Sequence, residues 1–314
     1  MPTPTEVPRP AQLPDVFESE DFVVTFAKPG DTPEGLATRF LGDASKAWMI
    51  EDYNETTTFS PGQEVVIPKR PWNPTGVDPS GYQLVPILVY HNLGPEARGR
   101  LVLAAKTFEE QMRYLKAQRY RVVSLRQFLE FSALKRQLPK RAVVLTFDDG
   151  YRSFMQYAHP LLKELGFTAT LFVYTDYVGA GRSAFSWEDL RGLRKEGFDV
   201  QLHSKTHEDL RRKPSESDAD YEKRMQAELG QTRILLERQL GQTSQILAYP
   251  YGSHDPDVVR WVREQGYAAA LDVRRQANPA FTPNLTLHRS QIYSEMSLEE
   301  FARNLNVFDA ERLQ

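Results

Sequence analysis

The chain has 314 residues, of which 40% are hydrophobic, and 39 basic against 42 acidic side chains give a formal net charge of -3. These values are typical of a folded globular protein of about two domains, and they exclude disordered and collagen-like chains. The small net charge gives no general attraction to nucleic acid, and the absence of cysteine excludes thiol nucleophiles, disulfides and thiolate metal sites.

The first 20 residues contain five prolines and little apolar periodicity. This composition predicts a disordered or extended tether over residues 1–20. The opening lacks the basic and apolar stretches of a signal peptide. No apolar run in the sequence approaches the roughly 18 residues that a membrane-spanning helix requires.

A small mixed module is predicted over residues 22–69. The segment DFVVTF is typical of a strand closed by a Pro-Gly turn, and PEGLATRFLG is typical of an amphipathic helix that ends at Gly42. A second helix, ASKAWMIEDYN, and a returning strand, QEVVIP, complete a βααβ order. Residues 70–82 cluster Pro, Gly and Asn without periodicity, and we interpret them as a linker.

A longer alternation of apolar strands and amphipathic helices fills residues 83–308. The predicted strands are residues 84–90, 120–125, 141–147, 168–174, 198–203, 246–250 and 267–273. The predicted helices are residues 107–118, 125–136, 151–166, 187–197, 218–240 and 255–266. Short β-branched runs separated by helices are typical of a parallel sheet. We therefore expect a barrel-like α/β fold whose functional site lies at the carboxyl ends of the strands.

Two adjacent carboxylates, Asp148 and Asp149, end the most apolar of these strands in the segment LTFDDG. Neighbouring ionised carboxylates repel each other, so a bound cation would explain the pair. The alternative is a helix N-cap, because acidic side chains are favoured at the start of the helix that is predicted from Tyr151.

Two imidazoles lie at another strand end. His203 ends the strand FDVQLH, and His207 lies four residues further on. Two His nitrogens and one carboxylate suit Zn²⁺ or a similar divalent ion and leave a coordination position open, as in catalytic sites. A solvated or capping pair of histidines is the alternative, but the Asp pair on a second strand of the same barrel favours the metal.

The motifs TFDDG and HSKTH resemble the first two motifs of polysaccharide deacetylases of carbohydrate esterase family four, the NodB-homology domain. The likeness extends over about residues 85–308. It implies a distorted (β/α)7-type barrel that removes acetyl groups from N-acetylated sugars with one divalent metal ion. Zn²⁺ is the default ion, with Co²⁺, Ni²⁺ or Fe²⁺ as alternatives. The resemblance assigns Asp149, His203 and His207 as metal ligands and Asp148 as the general base.

The third motif of this family corresponds to AYPYG. The resemblance implies that Tyr249, Pro250 and Tyr251 bind substrate, and that the backbone N–H of Tyr251 takes a catalytic part by stabilising the oxyanion. Many members carry an arginine two residues before the proline, where it orients the base, whereas this chain has Ala248. The base must therefore be supported by another group.

The resemblance also assigns roles to two further histidines. His288, in the segment NLTLHRSQI, is by position the candidate general acid that protonates the leaving amine, with a barrel-rim residue as the alternative. His91, in VYHNL, is a candidate catalytic residue of the cleft, with a structural ring hydrogen bond as the alternative. Asp272 is interpreted as orienting His288, pairing with Arg289 or capping a helix. The two other histidines discussed are expected at the surface: His159 and His254.

Residues 22–69 resemble a single LysM domain, a module that binds N-acetylglucosamine chains in a shallow groove. The KPGDT start, the Asn after the second helix and the PGQEVVIP end carry the likeness. The resemblance implies a glycan groove that involves Gly30, Asp31, Thr32 and Asn54. A packing domain without sugar affinity is the alternative, because Pro33 replaces a more typical Leu.

These features together predict a monomeric bacterial deacetylase that acts outside the cytoplasm, in the periplasm, the cell envelope or the medium. The expected partner is a glycan that contains N-acetylglucosamine. The VYH and AYPYG segments favour a poly-N-acetylglucosamine exopolysaccharide, whereas the LysM likeness favours peptidoglycan, and both stay open. An inactive protein that holds cell-wall glycan is the alternative from another class, and the missing arginine favours it.

Overall fold

The computed structural model describes residues 15–310 of the chain. The described residues divide into two compact units, the first ending at Trp72 and the second beginning at Asn73. Residues 1–14 of the predicted tether lie outside the described residues.

The first unit is a small antiparallel sheet packed with two helices. Its elements are β1 (Val16–Glu18), β2 (Phe22–Phe26), α1 (Pro33–Leu41), α2 (Ala47–Asn54) and β3 (Glu64–Pro68). Thr32 caps the start of α1, since its hydroxyl accepts the N–H of Gly35 at 3.1 Å. Leu36 and Ile50 of the two helices share a core with Val65 of the sheet. The predicted order of strand, two helices and strand is found between β2 and β3.

The strand β1 corrects the prediction that the tether extends to residue 20. It pairs antiparallel with β2, and Val16 lies opposite Thr25. All three β1 side chains are exposed, so the strand has no buried face. The strand is held by backbone hydrogen bonds to the edge of β2. A hydrophobic pattern in the sequence does not predict such bonds.

The second unit contains the long alternation of strands and helices. Its strands are β4 (Val77–Asp78), β5 (Gly81–Gln83), β6 (Ile87–Tyr90), β7 (Asn92–Gly94), β8 (Val102–Ala104), β9 (Arg121–Val122), β10 (Ala142–Phe147), β11 (Thr170–Val173), β12 (Asp199–Leu202), β13 (Ile246–Ala248), β14 (Ala269–Leu271), β15 (Ser290–Gln291) and β16 (Phe308–Asp309). Its α-helices are α3 (Ala105–Ala117), α4 (Leu125–Ser132), α5 (His159–Leu165), α6 (Trp187–Lys195), α7 (Asp218–Met225), α8 (Thr232–Leu240), α9 (Pro256–Glu264) and α10 (Leu298–Ala302). Two π-helical turns, Phe154–Ala158 and Gln226–Gln231, interrupt helices that the sequence predicts as continuous. Within residues 15–310, no helix combines the length and apolar content needed to span a bilayer.

The main sheet is parallel, with the strand order β14-β13-β12-β11-β10-β6-β15 and β9 beside β10. A parallel bridge joins Leu271 of β14 to Leu287, just before β15. Because this bridge links the two ends of the sheet, the strands curl into a distorted barrel with helices packed outside. The predicted α/β barrel class is confirmed.

Two details of the prediction are wrong. The predicted strand 120–125 contributes only β9, and the seventh place in the barrel is taken by β15, whose two polar residues form no apolar run. The predicted linker 70–82 contains β4 and β5, which form a separate antiparallel sheet with β16. Gly81 permits this pairing, because a Cβ at that position would lie 1.9 Å from the carbonyl oxygen of Asp309.

Alternate residues of the strands serve two different cores. Val143, Leu145 and Phe147 of β10 join the cluster that the outer helices cover. Ala142 and Val144 belong to a second cluster with alternate residues of the other barrel strands. The period-two direction of strand side chains therefore separates residues that face the helices from residues that face the barrel interior.

Candidate active site and metal centre

The end of β10 directs two consecutive carboxylates into one region. Thr146 faces the interior with Val144, and Asp148 follows at the same parity with 3% of its surface exposed. Asp149 then adopts a left-handed conformation, with φ of 72°, followed by Gly150 at 88°. This turn breaks the alternation, so Asp149 need not point away from Asp148. Gly fits the tight exit, because a Cβ at position 150 would lie 3.3 Å from Val173.

Asp149, His203 and His207 converge on one point. The Nε2 atom of His203 lies 3.5 Å from Oδ1 of Asp149, and the Nε2 atom of His207 lies 3.3 Å from the same oxygen. One donor atom from each residue lies within 4.8 Å of the other two. The three residues predicted as ligands are therefore close enough to share a single ion.

The donor set fits a divalent metal ion. Nδ1 of His203 donates to the carbonyl oxygen of Ala248 at 2.8 Å, which leaves the lone pair of Nε2 facing Asp149. The Oδ1 atom of Asp149 is buried and has no hydrogen-bond partner. Two imidazole nitrogens, which are borderline donors, and one carboxylate oxygen form a ligand set that Zn²⁺ and neighbouring first-row divalent ions accept. An oxygen buried without a donor is the position that a cation would satisfy.

Asp148 is held by a buried arginine that the sequence analysis did not assign to it. Arg289, which is fully buried, donates from its two terminal nitrogens to the two carboxylate oxygens of Asp148 at 2.7 and 2.8 Å. Its Nε donates to the backbone oxygen of Asp272 at 3.0 Å. The support expected for the candidate base therefore comes from Arg289, directly before β15, and Arg289 contacts Asp272 through its backbone oxygen and not through its carboxylate. Arg289 lies two residues after Leu287 in an extended segment, so the two side chains point to the same side. This spacing was the signal in the sequence that Arg289 faces the barrel interior.

The charges of this cluster keep both aspartates ionised. Burial alone would raise the pKa of Asp148, but the charges of Arg289 and His203 and the hydrogen bonds from Arg289 hold it below its usual value. Burial likewise opposes ionisation of Asp149, but the neighbouring imidazoles, chiefly that of His203, lower its pKa to about 2. Burial favours the neutral form of His203, but the charges of the two carboxylates outweigh this effect and raise its pKa. For His207, burial and the charge of His203 lower the pKa.

His288 and Asp272 form a second pair. Nδ1 of His288 lies 3.2 Å from each carboxylate oxygen of Asp272, which matches the orienting role considered for Asp272. His254, expected at the surface, is partly buried instead, with its Nε2 3.5 Å from Asp272. Burial opposes ionisation of Asp272, but hydrogen bonds from His254 and His288 hold its pKa well below the usual value.

The two remaining histidines differ in their surroundings. His91 follows β6, and its buried Nδ1 has no hydrogen-bond partner among the described residues. Burial lowers the pKa of His91, although the charges of Asp148 and Asp149 act in the opposite direction. His159 lies away from these residues and contacts Glu196 at 3.0 Å.

The third motif supplies only one exposed side chain. Tyr249 is fully buried, and its hydroxyl donates to the backbone oxygen of Leu285 at 3.0 Å, so its side chain has no exposed surface that could contact substrate. Pro250 is also buried, which argues against direct substrate contact. The parity of β13 explains the burial of Tyr249, because it follows Ala248 of the interior and faces the helices. Tyr251 is 65% exposed, and its ring lies 4.6 Å from that of His207.

Three more tyrosines lie beside the candidate metal centre, and the sequence did not single them out. The ring of Tyr174 lies 5.4 Å from His207 and is stacked on Tyr177 at 5.2 Å. Tyr151 contacts Tyr177 edge-on at 5.7 Å. Burial and the charge of Asp149 raise the pKa of Tyr151. These rings form an aromatic wall beside the centre, and their positions after Gly150 and after β11 follow from the rule that strand ends carry the site.

The predicted glycan groove of the first unit has side chains with structural tasks. Asp31 accepts from the backbone of Lys28 and pairs with Arg39. Asn54 donates to Ile50 and Val66 and accepts from the backbone of Val66, so its amide links α2 to β3. The two other residues predicted for the groove are Thr32, which caps α1, and Gly30. The space beside Gly30 is open, because a Cβ at this position would have no atom within 4 Å.

Replacing His203 or His207 with alanine is expected to lower affinity for Zn²⁺ by more than the about 10–100-fold loss typical of residues that only orient ligands. The physical reason is the loss of one of three donor nitrogen or oxygen atoms. Zn²⁺ affinity measured by competition with a chromophoric chelator checks the expectation. His159→Ala is the matched control, and unchanged affinity in the His203 and His207 variants would remove both from the ligand set.

A family model described as "Polysaccharide deacetylase" matches residues 135–270. This range contains the two aspartates that follow β10, the two histidines His203 and His207, and the third motif. His288 and Arg289 lie beyond it. The match supports a polysaccharide deacetylase domain in this chain.

Curated relatives point to the same class. One relative is YxkH of Bacillus subtilis (strain 168), whose name marks it as an inferred polysaccharide deacetylase. It is 24% identical over 217 residues, and the alignment covers 69% of this chain and 74% of that protein. The poly-beta-1,6-N-acetyl-D-glucosamine N-deacetylase of Staphylococcus aureus (strain MSSA476) is 26% identical over 185 residues, covering 56% of this chain. The chain spans 62% of the length of that S. aureus relative.

A solved structure shows the same fold. IcaB from Ammonifex degensii is 25% identical with a TM-score of 0.63, and the alignment covers 72% of this chain and 98% of that one. The curled parallel sheet of the second unit is therefore the (β/α)7 sheet of the deacetylase fold.

Proposed function

We propose that the second unit is a metal-dependent enzyme that hydrolyses the N-acetyl groups of a polysaccharide containing N-acetylglucosamine and releases acetate. The observation that carries the proposal is the convergence of Asp149, His203 and His207 directly beside an anionic Asp148 that a buried arginine holds in place. The family-model match over the same residues supports the reaction class.

The proposed centre divides its tasks between two neighbouring carboxylates. Asp149, His203 and His207 would hold one divalent ion, which when bound supplies Lewis-acid polarisation of the acetyl carbonyl and of an attacking water. Asp148 accepts the proton of that water, because it is ionised and both its oxygens are fixed by Arg289. The backbone N–H of Tyr251 is the proposed donor to the oxyanion.

The second half of the reaction needs a proton for the leaving nitrogen. His288 is the proposed donor, and Asp272 orients its ring through Nδ1. The C–N bond breaks as the sugar nitrogen takes this proton, so the products are a free amine and acetate. Arg289 contacts Asp148 with its terminal nitrogens and Asp272 with its Nε, which couples the positions of base and acid.

The exopolysaccharide is the favoured substrate class. The S. aureus relative is named for poly-β-1,6-N-acetyl-D-glucosamine, and the third motif AYPYG points the same way. Peptidoglycan is the competing glycan. Acetate release from β-1,6-linked N-acetylglucosamine oligomers, chitin oligomers and peptidoglycan fragments compares the three. The proposal expects release from at least one glycan, with the β-1,6-linked oligomers fastest, and no acetate from any of the three would contradict it.

We further propose that the first unit is a weak glycan-binding module. The likeness of residues 22–69 to a LysM domain and the observed strand-helix-helix-strand order support this role. Because Asp31 and Asn54 are occupied within the unit, backbone groups around Gly30 are the proposed contacts to sugar. The enzyme would act outside the cytoplasm, where such glycans are found.

Deleting residues 1–72 is expected to leave acetate release from short, dissolved oligomers unchanged and to reduce release from insoluble glycan. A tethered binding module raises the local concentration of a polymer at the catalytic unit but does nothing for a small substrate in excess. Initial rates on both substrates measure the effect. Equal loss on both would show that the first unit supports the second structurally.

A further inference from the structure

A buried glutamate on an outer helix holds the loop that carries His207. Glu228 lies on the π-helical turn Gln226–Gln231, between α7 and α8, and is 5% exposed. Its Oε2 accepts the backbone N–H groups of Lys205 at 3.1 Å and Thr206 at 3.0 Å. Its Oε1 accepts the hydroxyl of Thr206 at 2.9 Å.

All hydrogen-bond partners of this carboxylate belong to the loop. Within residues 15–310, no Lys, Arg or His nitrogen forms an ion pair with Glu228; the ammonium of Lys205 pairs with Asp176 and acts on Glu228 only at longer range. Burying a carboxylate without a direct ion pair is unfavourable unless hydrogen-bond donors satisfy it. Three N–H and O–H donors from two adjacent loop residues provide that compensation, so the carboxylate and the loop conformation stabilise each other.

The loop needs such a constraint because its backbone is strained. Ser204 and His207 both adopt left-handed conformations, with φ of 71° and 65°. Residues other than glycine persist in this region only when their surroundings fix them. The other side of the loop is held by the segment that follows β11, since the N–H groups of Thr175 and Asp176 donate to the carbonyls of Ser204 and Lys205.

We infer that Glu228 is a positioning residue: by fixing the N–H groups of Lys205 and Thr206, it sets the direction of the His207 side chain toward Asp149. The inference rests on the proposed metal centre for its catalytic consequence, whereas the effect on the loop is independent of any ion. The π-helical turn is consistent with this task, because such turns occur frequently at functional sites. The sequence shows only a long charged helix in this region.

The test uses the full-length protein and three variants. Glu228→Ala removes all three contacts, and Glu228→Gln keeps the shape while it weakens charge-assisted bonds. Gln226→Ala is the matched control on the same turn, because the amide of Gln226 donates to Glu222 and not to the loop.

Two measurements separate the loop effect from the metal effect. In metal-free protein, amide hydrogen exchange at Lys205 and Thr206 is expected to accelerate by about 10-fold or more in Glu228→Ala, while exchange in β10 stays unchanged. Zn²⁺ affinity, measured by chelator competition, is expected to fall by about 10–100-fold in this variant. Glu228→Gln is expected between wild type and alanine, and Gln226→Ala within about twofold of wild type.

Loop exchange and Zn²⁺ affinity within twofold of wild type in Glu228→Ala would overturn the inference. So would faster exchange spread evenly over the whole sheet, which would indicate only a loss of global stability. If Glu228→Ala does not fold, wild-type exchange and affinity in Glu228→Gln are the overturning result. A wild-type protein that binds no Zn²⁺ would refute the proposed function instead, and the exchange comparison would still decide the role of Glu228.

Discussion

Replacing Asp148 with asparagine is expected to lower acetate release by about 10²–10⁴-fold, the usual contribution of a general base. The amide is nearly the same size and still accepts a hydrogen bond from Arg289, but it does not take a proton from water. Because Asp149, His203 and His207 remain, Zn²⁺ content is expected to stay near that of the wild type. The measurement is the turnover number at saturating oligomer, together with metal content per chain.

The matched control for this variant is Asp257→Asn, which changes a half-exposed carboxylate paired with Arg260 on α9. Its turnover is expected to equal that of the wild type. Wild-type turnover in Asp148→Asn would remove the assignment of the base. Loss of bound metal in the same variant would show that Asp148 is a ligand and not a proton acceptor.

Replacing Arg289 with methionine is expected to lower the free energy of unfolding by about 3–5 kcal/mol, because it leaves a buried carboxylate without its partner. Both ends of the ion pair are buried, with 0% and 2% of the two side chains exposed. Turnover is expected to fall as well, since the carboxylate of Asp148 loses both hydrogen bonds that fix it. Urea denaturation and acetate release measure the two effects.

Two further variants make this prediction specific. Arg113→Met removes an arginine that pairs with Glu109 on the surface of α3, where the expected change in unfolding free energy is about 0–1 kcal/mol. In the double variant Asp148→Asn, Arg289→Met, the loss is expected to be smaller than the sum of the two single losses, because no unpaired charge remains. A stability of Arg289→Met within about 1 kcal/mol of the wild type would contradict the account.

The sequence was sufficient for the fold class because hydrophobic periodicity reports strands with buried faces. It located β10 and β12, whose apolar runs end in Asp148 and His203, and parallel strands bring such ends together. It did not locate β1 or β15, because one has no buried face and the other consists of Ser290 and Gln291. Both short strands are instead defined by their pairing with a neighbouring strand.

The sequence identified the three proposed metal ligands because the motif spacing and the strand-end rule agree. The contact between Asp148 and Arg289 joins residues 141 positions apart, and only the closed barrel brings them together. The burial of Tyr249 could have been predicted from the sequence. Tyr249 directly follows Ala248, the last residue of β13, so its side chain points to the opposite side, toward the helices. The task of Glu228 was not, because a π-helical turn changes which side of the helix faces the loop.

The most direct test of the metal-dependent reaction is acetate release from β-1,6-linked N-acetylglucosamine oligomers by protein treated with a chelator, before and after Zn²⁺ is restored. The account predicts that chelation abolishes release and that about one Zn²⁺ per chain restores it, as expected for a single site with two His and one carboxylate. Full release from metal-free protein would contradict the account.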